Sequence, residues 1–319
     1  MNTPLISIGI THFNASDTIE RAVGSALKQD WGNVEVIIVD DCSDIKEQNA
    51  LKSILKKHPS IGLIIHSDNK GVAAARNTII ERANGDFLAF FDDDDESCYS
   101  RLSIQYDRIT SYERSFSKGA DVICHTARYQ IYPNGEERYE GTMGANDGIV
   151  LYGEDVALRI LTGKPKSHIF GSAATCSQMA RLSTYKKLQG FDVKFKRSED
   201  TDFNVRAALS GAHFVGESKA LVRQTMTLAS DKKLEEEKYY AFKLIEKHKS
   251  FIQAHMDYRF CSQWLDAKYD LLQKQRSSFI YKIMWLLLKH PILTMLRIKW
   301  ALPNIGFNLR FIKFHHDRK

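Results

Sequence analysis

Two apolar rhythms alternate over the first ninety positions. Leu5 to Ile10 (LISIGI) is a short, β-branched run that stops at polar residues, as a buried strand does. After Thr11-His12-Phe13-Asn14, Asp17 and Glu20 have the spacing of a capping box. Ile19, Ala22, Val23, Ala26 and Leu27 then recur at helical intervals. Val34 to Val39 (VEVIIV) predicts a second strand ending at Asp40-Asp41-Cys42-Ser43. A helix through Leu51, Ile54 and Leu55 leads to a third strand over Ile61 to Ile65. Gly71 opens a helix over Val72 to Ala83, and Asn84-Gly85 turns the chain into a fourth strand, Asp86 to Phe91. Strands that alternate with helices in this way predict an α/β fold: a mostly parallel, Rossmann-like sheet with helices on both faces.

Past Asp95 the alternation loosens. A hairpin is predicted around Pro133-Asn134-Gly135, helices over 151–162 and 201–210, and a strand over 213–216. From Asp231 to Arg276 the chain is charged, helix-prone and free of Gly and Pro. The expected organisation is a body over 1–228 and a helical, basic, amphipathic C-terminal extension over 229–319. Within the body, 1–100 would be a nucleotide-binding half and 101–228 an acceptor-side half.

Ligands of parallel α/β sheets sit at the carboxyl ends of the strands. Those ends are Thr11-His12-Phe13, Asp40-Asp41 and the run Asp92 to Asp95. Four adjacent aspartates cannot all ionise without compensation, and an all-oxygen set suits a hard divalent cation, Mg²⁺ or Mn²⁺. The competing explanation is a solvated acidic loop; its place at the end of a buried strand argues against that. The first strand is followed by no glycine-rich turn, and no phosphate-binding glycine motif occurs anywhere. An oxidoreductase binding a dinucleotide is therefore disfavoured, and any diphosphate must be held by a metal and side chains.

Charge and cysteines refine this picture. The net charge is +6, but Leu271–Lys319 holds ten Lys/Arg and one acid, which makes it +9 and leaves the rest at −3. The five cysteines are scattered without a CxxC pair, and Met1-Asn2-Thr3-Pro4 runs straight into a strand pattern without a signal peptide. A cytoplasmic protein is expected. In Phe279–Trp300 (FIYKIMWLLLKHPILTMLRIKW) no apolar run approaches the ~20 residues of a membrane span. Ile280, Ile283, Met284, Leu287 and Leu288 nevertheless share one helical stripe beside Lys, Arg and Trp. That composition fits a helix lying on an anionic membrane, peripheral on the inner face of the cytoplasmic membrane; packing on the body is the alternative. Its aliphatic content argues against nucleic acid.

Five segments in order, ISIGITHFN, VEVIIVDDCS, NKGVAAARN, GDFLAFFDDDD and GFDVKFKRSEDTDFNVRAALSG, resemble the family 2 glycosyltransferases of bacterial surface-glycan type, which have the nucleotide-diphospho-sugar transferase (GT-A) fold. The resemblance covers most of the first 215 residues. It implies an inverting, metal-assisted transfer of one sugar from a UDP-sugar to a hydroxyl of a glycan or lipid-linked glycan acceptor. By the same resemblance Thr11 and Phe13 border the nucleoside, Asp41 with Asp40 beside it accepts from the base, and Arg76 donates to base or phosphate. Asp92 reaches ribose and metal, Asp94 ligates the metal directly, and Asp93 and Asp95 accompany them. Asp200 is the implied general base and Glu199 its orienting neighbour; the plain alternative is an acidic helix start. Two departures stand out. Gln189 occupies a position that is often Gly in the family, and Thr225 falls where many members have a metal-ligating His. A nucleotide-sugar-binding protein without turnover and a metal-dependent phosphohydrolase remain the alternative functions.

Overall fold

The computed structural model describes residues 3–144, 151–165, 171–226 and 234–302. The chain divides into two compact units, one of Met1–Ala157 with His168–Leu228, the other of Leu158–Ser167 with Ala229–Lys319. The proposed junction at residue 228 lies outside the described residues.

In the first unit, β1 (Ile6–His12), β2 (Val34–Asp40), β3 (Gly62–Ile65) and β4 (Phe87–Asp92) alternate with α1 (Ile19–Leu27), α2 (Ile45–Leu55) and α3 (Val72–Arg82). The strands lie parallel in the order β3-β2-β1-β4, with Thr11 opposite Asp92 and His12 opposite Asp40. Short β5 (Glu96–Ser97) and α4 (Arg101–Ser115) follow, then the hairpin of β6 (Val122–Ile131) and β7 (Glu137–Glu140). Next come β8 (Leu151–Tyr152), α5 (Gly153–Thr162), β9 (Gln178–Arg181), α6 (Leu182–Lys187), α7 (Glu199–Leu209) and β10 (His213–Thr225). The sheet continues β4-β9-β6-β10-β5, with β9 antiparallel to both neighbours and the long β6–β10 pair parallel.

Strand periodicity sorts the helices onto two faces. Ile6, Ile8, Ile10, Phe87, Ala89 and Phe91 point to the side covered by Ile19, Val23 and Ala26 of α1, Leu51 and Leu55 of α2, and Leu102 and Ile109 of α4. The opposite side meets α3, α6 and α7. There Phe90 packs edge-on against Tyr185 and Phe191, and Phe191 stacks on Phe203. Gly9 lets α3 come close: a Cβ at that position would stand 2.4 Å from Ile79 Cγ2. The expected α/β fold with helices on both faces is therefore present.

Three local differences from expectation have physical causes. The capping box does not form; Thr18 is the N-cap without a side-chain cap bond, and Glu20 turns outward to Lys57 at 2.8 Å. The final strand runs thirteen residues rather than four, because β6 offers it a parallel partner as far as Thr225. Strand β9 was not foreseen: its four residues (QMAR) carry little strand signal and are held by pairing with β4 and β6.

The second unit is helical: α8 (Leu234–Lys247), α9 (Lys249–His255), α10 (Tyr258–Leu272), α11 (Arg276–Lys289) and α12 (Pro291–Ala301). Asp257 caps α10 by accepting from the backbone N–H of Arg259 at 2.8 Å and Phe260 at 3.2 Å. Leu234, Tyr269 and Leu272 form a small core with Ala241 and Leu265. No helix among the described residues is long and apolar enough to cross a membrane.

Candidate active site

The ends of β1, β2 and β4 bring the acidic residues to one edge of the sheet. Strand β4 is buried throughout until Asp92, where the chain turns and Asp95 N–H donates to the Asp92 carbonyl at 3.3 Å. The aspartates then point in different directions, which is how four of them can be adjacent. Asp93 lies 3.0 Å from His12 Nδ1 and accepts the Phe13 N–H at 3.2 Å. Burial raises its pKa, and His12 offsets part of that. Asp95 accepts the Thr225 N–H at 2.9 Å, while its Oδ2 is buried without a hydrogen-bond partner. Burial first, then Asp92 and Asp94, push its pKa well above the carboxylate range. Arg21 donates to the Asp94 carbonyl at 2.6 Å and to Thr225 Oγ1 at 2.9 Å, tying the turn to the end of β10.

Beneath the turn lies Arg101, fully buried, donating to the Phe90 carbonyl and Ser97 Oγ at 2.9 Å each. Burial lowers its pKa to about 10, so it stays cationic near neutrality. Arg76 approaches from α3. Its Nη2 lies 3.5 Å from Asp92, and its Nη1 donates to Glu199 Oε1 at 2.6 Å. These cations answer the charge question that the acidic run poses.

Glu199 and Asp200 begin α7, preceded by Ser198 in the left-handed region at φ 64. Glu199 is buried; burial raises its pKa, Arg76 lowers it and Asp200 raises it again. Asp200 Oδ1 accepts from the Thr201 N–H at 2.6 Å and from its hydroxyl at 3.1 Å. Phe191 stacks on α7 and lies 5.3 Å from the Arg76 guanidinium. Arg76 therefore joins the acidic turn to the Glu199-Asp200 pair.

At the end of β2, Asp40 is fully buried and accepts from the Ser43 N–H at 3.1 Å; its Oδ2 has no partner. Asp41 accepts from the backbone N–H of Lys70 at 3.0 Å and Gly71 at 2.6 Å, and lies 2.7 Å from His66 Nδ1. It thus clasps the loop that starts α3. Thr11 is the penultimate residue of β1, and Phe13, just past the strand, is 46% exposed, an open aromatic face next to Asp93.

A divalent cation can be tested against this geometry. Among the described residues, the side chains whose ligand atoms converge, within 4.8 Å of one another, are Asp92, Asp95 and Cys176. The buried, unpartnered Asp95 Oδ2 supplies the kind of atom a cation would satisfy. Asp94 is not among the three. Two carboxylates suit Mg²⁺ or Mn²⁺, and the thiol adds a softer donor. Asp95, Cys176, Arg21, Arg101, His12 and His66 were not singled out for roles in the sequence. Asp95 and His12 carried a signal, by lying in the strand-end runs; the others come from outside those runs.

The glycosyl transferase family 2 model matches residues 7–169, a little over half of the chain. The chain belongs to glycosyl transferase family 2. Its relatives include an uncharacterised glycosyltransferase of Haemophilus influenzae, 33% identical over 131 residues, or 41% of this chain and 52% of that protein. Another is the UDP-Glc:α-D-GlcNAc-diphosphoundecaprenol β-1,3-glucosyltransferase WfgD of Escherichia coli, 34% identical over 119 residues, or 37% of this chain and 46% of that protein. The chain thus spans about half the length of the relatives it matches. Among solved structures, residues 1–349 of S. aureus TarS in complex with UDP-GlcNAc superpose with a TM-score of 0.59 at 17% identity, over 97% of this chain and 89% of that one. That likeness extends the shared fold over nearly the whole chain.

Proposed function

We propose that this family 2 protein is an inverting glycosyltransferase that moves one sugar from a UDP-sugar to a hydroxyl of a glycan, most readily a lipid-linked one, in surface-polysaccharide assembly on the cytoplasmic side of a membrane. The observation that carries the proposal is Arg76, within 2.6 Å of Glu199 and 3.5 Å of Asp92, because it couples a donor site to an acceptor site. The UDP complexes of the TarS neighbour and the diphosphoundecaprenol substrate in the name of WfgD support the donor and acceptor classes.

In this proposal Thr11, Phe13, Asp40 and Asp41 surround the nucleoside, and Asp92 and Asp93 face the ribose and phosphates. Asp41 acts through the 66–71 loop that it clasps. Asp92 and Asp95, with Cys176 beside them, would hold a divalent cation, Mn²⁺ or Mg²⁺. A bound cation supplies charge neutralisation to the departing diphosphate. Asp200 takes the proton of the acceptor hydroxyl as that oxygen bonds to the anomeric carbon and the bond from that carbon to the diphosphate breaks. One displacement inverts the anomeric configuration, and the electron pair leaves with UDP. Glu199, held by Arg76, fixes the start of α7 and hence the reach of Asp200.

The test is nucleotide release from a panel of UDP-sugars with lipid-linked acceptors, with Mn²⁺, Mg²⁺ or chelator. Asp200→Asn should lose turnover by about 10²-fold or more while retaining donor binding. Unchanged turnover in that variant would remove Asp200 as base. Donor binding without any transfer would favour a non-catalytic binder, and acceptor-independent sugar release a phosphohydrolase.

A further inference from the structure

Among the described residues, the helical unit exposes a set of large apolar side chains on α11 and α12. On α11, Lys282 pairs with Asp266 and Asp270 of α10, and Leu286, one turn further, is fully buried. These contacts fix which side of α11 faces inward. Ile280, Met284 and Leu288, at i, i+4 and i+8, lie on the opposite arc, and Leu288 is 75% exposed. Exposed apolar side chains occur beyond the break as well. His290-Pro291 ends α11 and begins α12, and buried Thr294 donates its hydroxyl to the Leu286 carbonyl at 2.9 Å, locking the two helices together. On α12, Ile292 is 76% exposed and Met295 65% exposed.

The two helices themselves carry charge of one sign, although Lys282 is answered by Asp266 and Asp270 of α10. Residues 271–302 contain six Lys/Arg and no Asp or Glu. Lys289 lies 5.0 Å from the ring of Trp285, itself 44% exposed, so an aromatic and a cation sit together at the margin. We infer that α11 and α12 form one docking face for an anionic lipid bilayer, the apolar arc entering the acyl boundary and Arg276, Lys289 and Lys299 meeting the headgroups. A second copy of this chain would bring like charges together at the rim, which is why lipid is the better occupant. The inference extends the lipid-linked acceptor proposed above; vesicle binding requires no sugar transfer, so either can fail alone.

The experiment is co-sedimentation of the full chain with vesicles of phosphatidylcholine alone or mixed with phosphatidylglycerol. The unmodified protein should pellet with the mixed vesicles, weakly with phosphatidylcholine alone, and less as salt rises. Leu288→Glu/Ile292→Glu should lower partitioning by about tenfold or more, and Lys289→Glu/Lys299→Glu should remove the preference for phosphatidylglycerol. Both pairs lie on the exposed surface, so donor binding in solution should be unaffected. In the unmodified chain, mixed vesicles should also blue-shift the fluorescence of Trp285, read as the difference from Trp285→Phe. Equal sedimentation of the apolar double variant, or no spectral shift, would overturn the inference. So would a concentration-dependent dimer that the same double variant abolishes while vesicles bind nothing.

Discussion

Arg76 and Glu199, 123 positions apart, meet through a buried hydrogen bond of 2.6 Å. Burial raises the pKa of Glu199, and the Arg76 guanidinium opposes that shift. Removing one partner leaves the other buried without its counter-charge. Arg76→Ala should therefore destabilise by about 3–5 kcal/mol, as measured by denaturant unfolding. Pairing it with Glu199→Gln should recover part of that loss in a double-mutant cycle. Strictly additive effects would mean that the two side chains do not couple.

Asp95 bears on the cation. Divalent ions at about 100 times their dissociation constant should stabilise the unmodified protein by about 2.7 kcal/mol. Asp95→Asn removes a ligand at a position where burial, Asp92 and Asp94 already disfavour the charged carboxylate, so thermal unfolding should show a midpoint no lower than that of the metal-free parent and little response to Mn²⁺. A full Mn²⁺ response in that variant would place the ion elsewhere.

His125 sets a limit on acid stability. It is fully buried on β6, stacked on Phe214, with neither ring nitrogen hydrogen-bonded. Burial, helped by Arg128 and Arg101, lowers its pKa from 6.5 to about 3. The unfolded chain binds a proton near 6.5 that the folded chain refuses, so this residue has no effect above that pH. As pH falls from 6.5 towards 3, it should remove up to about 1.4 kcal/mol of stability per pH unit. His125→Gln should flatten that part of the stability profile. An unchanged slope would assign the acid sensitivity to other groups.

Gln189 takes φ 58, a left-handed conformation that suits glycine, immediately before Gly190 at φ 62. The backbone thus keeps a glycine-like path although the side chain differs. Gln189→Gly should raise stability by about 0.5–1 kcal/mol in chemical denaturation. Gly190→Ala should do the reverse. Its Cβ would stand 2.2 Å from Asn77 Oδ1, and Asn77 holds both the N–H and the carbonyl of Phe191, at 2.8 and 2.9 Å. Equal stabilities for the two variants would contradict this account.

Local order alone determined the α/β alternation of the first ninety residues, the acidic end of β4, the helix expected over 201–210, which begins two residues earlier at Glu199, and the amphipathic stripe from Ile280 to Leu288. Each is written in spacings of two or of three to four residues, which a single segment carries by itself. Tertiary structure decided the rest. β9 exists because β4 and β6 pair with it, and Arg101 neutralises the acidic turn from a helix that reveals no such purpose in sequence. Thr225 meets Asp95 and Arg21 only because β10 runs its full length beside β6. Which aspartates converge with Cys176, and which side of α11 faces outward, depend on contacts between distant segments. Burial and charge pairing act through space, and no local periodicity records them.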